Sequence, residues 1–198
     1  HFLDHLERRV RTYIAKRRRL IALLEEEKRA IIERAVMRGL DPSVPLKESR
    51  GPEQWAIRTL KSVATIQSGV TLGNAYVAPE ALEYPYLAVS NVQAGSLSLD
   101  VIKTVRLPPS VAARYLLQHG DVLMTEGGDP DKLGRGTVWR GEVETCLHQN
   151  HIFAVRTYSD LLRGPFLALQ LQCKPARDYF IRNAKQTTNL ASTSKTAI

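Results

Sequence analysis

The sequence predicts an α+β chain: a long N-terminal helix of coiled-coil type, followed by a β-rich, mixed globular domain with short helices. Three observations carry that expectation. From Phe2 to Arg38 there is neither glycine nor proline, and apolar residues recur on alternating three- and four-residue steps. Three prolines then fall within residues 40–56. From about Ile57 the period shortens to brief β-type runs broken by Gly, Asn, Pro or Asp.

In the N-terminal segment Leu3, Leu6, Val10, Tyr13, Leu20, Leu24 and Ile31 trace the a/d seam of a heptad, interrupted by Arg17, Glu27 and Arg34. Ile14, Ile21 and Ala35 lie beside it and widen the stripe. At ~1.5 Å per residue such a helix runs about 55 Å. One small domain cannot cover that length, so the seam is expected to pack on a second long helix. The run Lys16-Arg17-Arg18-Arg19 goes all round the helix, so part of it must face solvent or an acidic partner. Gly39 stands in the C′ position that favours a left-handed residue, and Asp41-Pro42 bars continuation. The organisation that follows is a helix over 1–39, a linker over 40–57 with Trp55 as its aromatic anchor, a globular domain over 58–190 and a tail over 191–198 leading onward, with the polar, Ser- and Thr-rich end QTTNLASTSKTAI (186–198) expected to fray.

Within the globular part, ATIQSG, YLAVSN, SLSLD, IKTVRL, DVLMT, GTVWRG and HIFAVRT are the expected strands. SVAARYLLQH reads as a helix with Ser110 at its N-cap. Pro165 and Pro175 open two further helices, as proline does in a first helical turn.

The net charge is +8, from 28 Lys and Arg against 20 Asp and Glu, which favours an anionic partner, nucleic acid first. The excess is uneven: residues 1–38 hold 11 basic and 6 acidic residues, whereas residues 58–156 hold 9 of each. Charge therefore does not by itself mark the middle of the chain as the binding surface. Cys146 and Cys173 form no CxxC pair and no disulfide framework, which points to a reducing cytoplasm. No apolar run reaches the roughly 18–20 residues that span a bilayer, so no membrane partner is expected. The opening HFLDHLERRV is charged too early for a signal peptide.

The loop over 125–136 is the most polar interruption between two core-like segments, with four glycines, three acids and two bases over 126–136. Asp129-x-Asp131 and Gly134 match the opening of a calcium-binding EF-hand loop, but Arg140 stands where the bidentate glutamate belongs. No Gly-Lys-Ser/Thr run makes a phosphate loop. A metal-dependent nuclease could draw on Glu126, Asp129, Asp131 and Lys132, yet two-metal sites gather carboxylates from separate strands rather than one loop. Cys146, His148 and His151 do not follow zinc spacing, and 151 falls on the other strand face from 146 and 148. No catalytic residue and no metal ligand is assigned to the chain.

What remains is a set of polar loops: 67–76, 90–95, 125–136 and 148–150. Thr71, Asn74, Tyr76, Asn91, Gln93 and Gln149 in them are candidate DNA contacts, because amide and hydroxyl groups can match base edges in the major groove. Glycine lets backbone come close to phosphate.

Three stretches together resemble a known family. AKRRRLIALLEEEKRAIIERAVMRGLDP is similar to the spacer helix of specificity (S) subunits of type I restriction-modification enzymes. YLAVSNVQAGSLSLDVIKTVRLP resembles the early part of their target recognition domains, and GDVLMTEGGDPDKLGRGTVW with HQNHIFAVRT the later part. The order of the pieces along nearly the whole chain is what makes the likeness specific. The linker SRGPEQWAIRTL departs from the longer tryptophan-containing stretch common in the family.

The resemblance implies a subunit without bond chemistry whose recognition domain reads one half of a split double-stranded DNA target. The spacer helix would pair antiparallel with a second one, from the rest of an S subunit or from a self-paired copy. Methylation subunits carrying S-adenosylmethionine and an ATP- and Mg-dependent restriction subunit would assemble around it, with no cofactor in this chain. The loop over 125–136 becomes a DNA-facing finger, with Lys132 and Arg135 as its contacts. Two other readings stay open: the nuclease built on the 126–132 carboxylates, and a coiled-coil adapter whose β-domain binds protein.

Overall fold

The computed structural model describes residues 2–41, 43, 46–47, 51–52, 55–73, 79–128, 133–186 and 191–192. The chain divides into two compact units, His1–Glu53 and Gln54–Ile198.

The first unit is dominated by one helix, α1 (Phe2–Arg38), unbroken across the stretch that lacks Gly and Pro. Val36 is the buried residue among those described in α1, and Leu3, Leu6, Val10, Tyr13, Leu20, Leu24 and Ile31 are all exposed. Gly39 ends the helix with φ 76° while its N–H donates to the Ala35 carbonyl at 3.0 Å. Without a Cβ, that left-handed turn costs glycine little. β1 (Leu46–Lys47) and β2 (Gly51–Pro52) pair antiparallel in the segment read as a linker.

The second unit has a short helix, α2 (Leu60–Val63), leading into an antiparallel sheet in the order β3 (Ala64–Ser68), β10 (Ile152–Thr157), β6 (Val122–Thr125), β8 (Gly136–Val138). Its two central strands are buried on both faces, which explains their continuous apolar sequences. Val122, Met124, Phe153 and Val155 meet Leu167, Ala168 and Leu171 around α4 (Gly164–Gln170), with Phe180 of α5 (Lys174–Asn183). The alternate residues Leu123, Ile152 and Ala154 pack on the opposite face against Leu87, Val92, Trp139 and Cys146. A third cluster, with Val70, Tyr86, Leu107 and Leu147, fills a smaller mixed sheet. There β4 (Leu82–Leu87) pairs antiparallel with β5 (Lys103–Leu107) and parallel with β9 (Leu147–His148). Trp55 meets Phe166 edge to face at 5.5 Å, so the aromatic anchor has its partner. The long helix followed by a sheet-rich region with short helices is the α+β arrangement the sequence predicts.

Three local expectations change. SVAARYLLQH forms only one short helix, α3 (Pro109–Ala112), preceded by Pro108 rather than capped by Ser110. The chain is diverted because Leu117 donates to the Cys146 carbonyl and the Gln118 N–H to the Asp121 carboxylate. SLSLD is not a strand: Val92 and Leu97 form a single bridge, and Asn91 ties the carbonyls of Ser98 and Val101. Part of the C-terminal stretch expected to fray is paired, since β11 (Lys185–Gln186) and β12 (Ala191–Ser192) form a ladder that continues onto β7 (Gly127–Gly128).

Candidate nucleic-acid interface

Strand direction gathers the polar loops. In the main sheet the C-terminal ends of β3 and β6 and the N-terminal ends of β8 and β10 share one edge, with Ser68 opposite Phe153, Thr125 opposite Ile152 and Gly136 opposite Met124. The segments 69–73, 126–128, 133–135 and 149–151 therefore lie at the same end. The turn at 93–96 joins them, because the Gly95 N–H donates to the Gly136 carbonyl at 2.9 Å.

The described parts of these loops are fastened to one another and to the sheet by backbone and side-chain hydrogen bonds. Val70 donates to the His148 carbonyl at 2.8 Å and Asn150 donates to Val70 at 2.9 Å, which leaves the next residue, Thr71, exposed. Gly69 is pressed so closely on the His148 and Gln149 carbonyls that a Cβ would stand 2.0 Å from the first. The Gln149 side-chain oxygen accepts from the Val89 N–H at 3.4 Å. Asn91 is buried, its oxygen accepting from Ala88 at 2.8 Å while its amide nitrogen donates to two carbonyls. It holds the 88–101 loop in shape.

The segment returning from the 125–136 loop is anchored in the core. Leu133 is buried beside Met124 and Phe180, and Gly134, at φ 68°, lies where a Cβ would meet the Phe180 ring at 2.2 Å. The Arg135 carbonyl accepts from the Thr125 N–H at 2.9 Å and from its hydroxyl at 3.4 Å. The half-buried Arg135 guanidinium donates to Gln93 Oε1 at 3.1 Å. Asn74, Tyr76 and Lys132 lie outside the described residues, as do Asp129 and Asp131.

Two pairs were not visible in the sequence. Glu126 and His151 face each other at 3.6 Å across the ends of β6 and β10, and burial pushes the Glu126 carboxyl above the ordinary glutamate range against the pull of His151. Asp121, buried at the opposite end of β6, takes a bidentate hydrogen bond from Arg156 with both distances 2.8 Å. Only their positions next to strand ends in the sequence, Gly-Asp before VLMT and Arg-Thr after IFAV, hint at the second pair.

The soft ligands do not converge. Burial pushes the Cys146 thiol up to about 12, and His148 Nδ1 donates to the Ile152 carbonyl at 2.9 Å. Among the described residues no group of three or more His, Cys, Asp or Glu could hold a metal ion. Among them also, no helix is long and apolar enough to cross a membrane.

No family model matches the chain. A curated protein of Methanocaldococcus jannaschii, described as a "Putative type I restriction enzyme MjaX specificity subunit", is 22% identical over 149 residues. The match covers 74% of this chain and 34% of the relative, so the chain spans about a third of the length of the protein it matches. The likeness to specificity subunits of type I restriction enzymes, carried in the sequence by three stretches, is thereby met again in a curated relative along most of the chain.

Proposed function

We propose that the chain is a non-catalytic DNA-reading module of a type I restriction system, recognising one half of a split duplex target. The observation that carries this reading is the gathering of the 69–73, 93–96, 126–128, 133–135 and 149–151 segments at one end of a rigid sheet. Arg135 is held there on a core-anchored stem. Recognition of base edges needs donors and acceptors fixed relative to one another, and a rigid element supplies that better than a free loop. The exposed apolar seam of α1 suits pairing with a second spacer helix and docking of methylation subunits. S-adenosylmethionine, ATP and magnesium would then belong to those partners.

The test is a binding selection from random duplexes, with the methylation subunit present. A short enriched motif and steep loss of affinity with salt are expected. Arg135→Ala should cost about 1–3 kcal/mol of discrimination at one base pair and leave non-specific binding nearly unchanged. Cleavage of plasmid by the pure chain with magnesium would favour the nuclease reading instead. Unaltered DNA affinity of the assembled complex after deletion of residues 58–190 would favour the adapter.

A further inference from the structure

Gln93 reads in the sequence as a base contact, yet its geometry gives it another task. Both ends of its amide are engaged inside the protein: Oε1 accepts from Arg135 Nη1 at 3.1 Å, and Nε2 donates to the Ser90 carbonyl at 2.8 Å. These contacts also fix which way the amide points, because a flip would set a donor against the guanidinium and an acceptor against a carbonyl. A glutamine that reads adenine needs both of those atoms on the base. The Gln93 backbone is held as well, its N–H donating to Ser96 at 3.0 Å. Gly95 of the same turn, at φ 80°, donates to Gly136 and lies 3.0 Å, measured from an added Cβ, from the Gln172 amide. The turn is thus clamped to the first residue of β8, one position after Arg135.

Arginine in this setting has its backbone held through Thr125 and one guanidinium nitrogen, Nη1, held through Gln93. A planar fork tethered at one nitrogen has fewer orientations open to it, and orientation is what separates bidentate recognition of guanine O6 and N7 from loose attraction to phosphate. We propose that Gln93 is a positioning residue that sets the guanidinium plane of Arg135, so that base selectivity at one position of the DNA target depends on a side chain that touches no base. This rests on the DNA-reading function proposed above.

The test is a double-mutant cycle in the full chain with its methylation subunit, read as the affinity ratio for duplexes differing at one base pair. Gln93→Met keeps the length and removes both hydrogen bonds. Gln93→Asn, one methylene shorter, is the second breaking variant should the first not fold. Gln93→Glu keeps an acceptor for the guanidinium and serves as the rescue. Arg135→Ala is expected to flatten the preference at one base pair by about tenfold. Gln93→Met should flatten it at the same base pair, and the double variant should be no flatter than Arg135→Ala alone. Gln93→Glu should keep that preference while lowering affinity for every duplex alike. Melting temperature and non-specific affinity, which a merely structural bridge would move, should stay near the parent values in Gln93→Met. The inference is overturned if Gln93→Met and Gln93→Asn leave the Arg135-dependent preference intact, or if they alter a different base pair. A parent complex with no sequence preference at all would overturn the DNA-reading function itself, and the two failures are thereby told apart.

Discussion

Helix α1 and the loop end of the main sheet both have many backbone polar groups to satisfy, and they do so in opposite ways. In α1 nearly every N–H and C=O finds its partner four residues away, so the helix keeps its geometry while Val36 is the buried residue among those described. At the loop end no such local pattern exists, and the partners come from across the fold: Thr125 for Arg135, Gly136 for Gly95, His148 for Val70. A buried backbone group without a partner would cost as much as a lost hydrogen bond, so the turns are sewn to the sheet. The helix leaves an apolar stripe exposed; the loops hold polar atoms in fixed places. On the function proposed above, these are the properties expected of a spacer and of a reader.

The contrast is broken or upheld first by truncating one leucine in each region. Leu123 is 0% exposed between two strands, whereas Leu24 on the α1 seam is 54% exposed. Leu123→Ala should cost about 2–5 kcal/mol, since the surrounding core closes only part of the cavity. Leu24→Ala should change the stability of the chain by less than ~0.5 kcal/mol. Denaturant unfolding of both variants decides it. A Leu24→Ala loss as large as the other would mean that the seam is already covered in solution, and the comparison drawn above would fail.

That same contrast explains what the sequence made legible. Helix α1 and its end at Gly39 could be read because periodicity, the absence of breakers and a single glycine are local signals. Strands β6 and β10 could be read because VLMT and IFAV are continuous apolar runs of strand length. Asn91 could not be, because a polar residue in a Gly/Asn-rich loop looks the same whether it faces solvent or ties Ala88, Ser98 and Val101 together. Leu133 and Gly134 looked like part of a protruding finger, and only Phe180, far along the chain, shows them seated in the core. The Ser110 cap failed because Pro108 and Pro109 start the turn earlier and Cys146 draws Leu117 away. Pairing of β12 with β7 lies beyond any sequence period, since neither two-residue strand carries a pattern of its own.

A second way to sharpen the comparison uses acid. His148 is buried beside the turn that carries Gln149, its Nδ1 proton donated to Ile152, and its Nε2 has no partner among the described residues. Desolvation lowers its pKa below the ordinary value of 6.5. The unfolded chain therefore takes up a proton that the folded chain refuses, and stability falls as pH drops below about 6.5, by up to ~1.4 kcal/mol per pH unit. His148→Phe should flatten that slope even if its absolute stability is lower. Glu126 acts in the other direction, because burial raises its pKa and acid relieves the cost of its charge. Comparing the two proteins at each pH cancels that contribution. An unchanged slope in His148→Phe would remove His148 as the acid-sensitive point of the loop end, leaving the sewn turns no more acid-sensitive than α1.

The smallest effects belong to the exposed ion pairs, and they separate a helix with an exposed seam from one anchored through the core. On α1, Glu7 accepts from Arg11 at 2.5 Å; on α5, Asp178 accepts from Lys174 at 2.7 Å. Glu N-terminal to its cation, near the positive end of the helix dipole, is the favourable arrangement. Lys174 stands in the first turn of α5 with the order reversed, so its attraction to Asp178 is offset by the dipole. Glu7→Gln should therefore cost about 0.3–0.5 kcal/mol at low salt and nothing measurable at high salt, while Lys174→Gln should be indistinguishable from the parent in both. Helix α5 is held through Phe180 in the core rather than through its surface charges. Helix α1 has no comparable anchor among its described residues before Val36, so charge pairs and intrinsic propensity carry a larger share of its order. Circular dichroism of the two variants against salt reads the difference: a larger helical loss in Lys174→Gln than in Glu7→Gln would reverse the assignment of which helix depends on its surface.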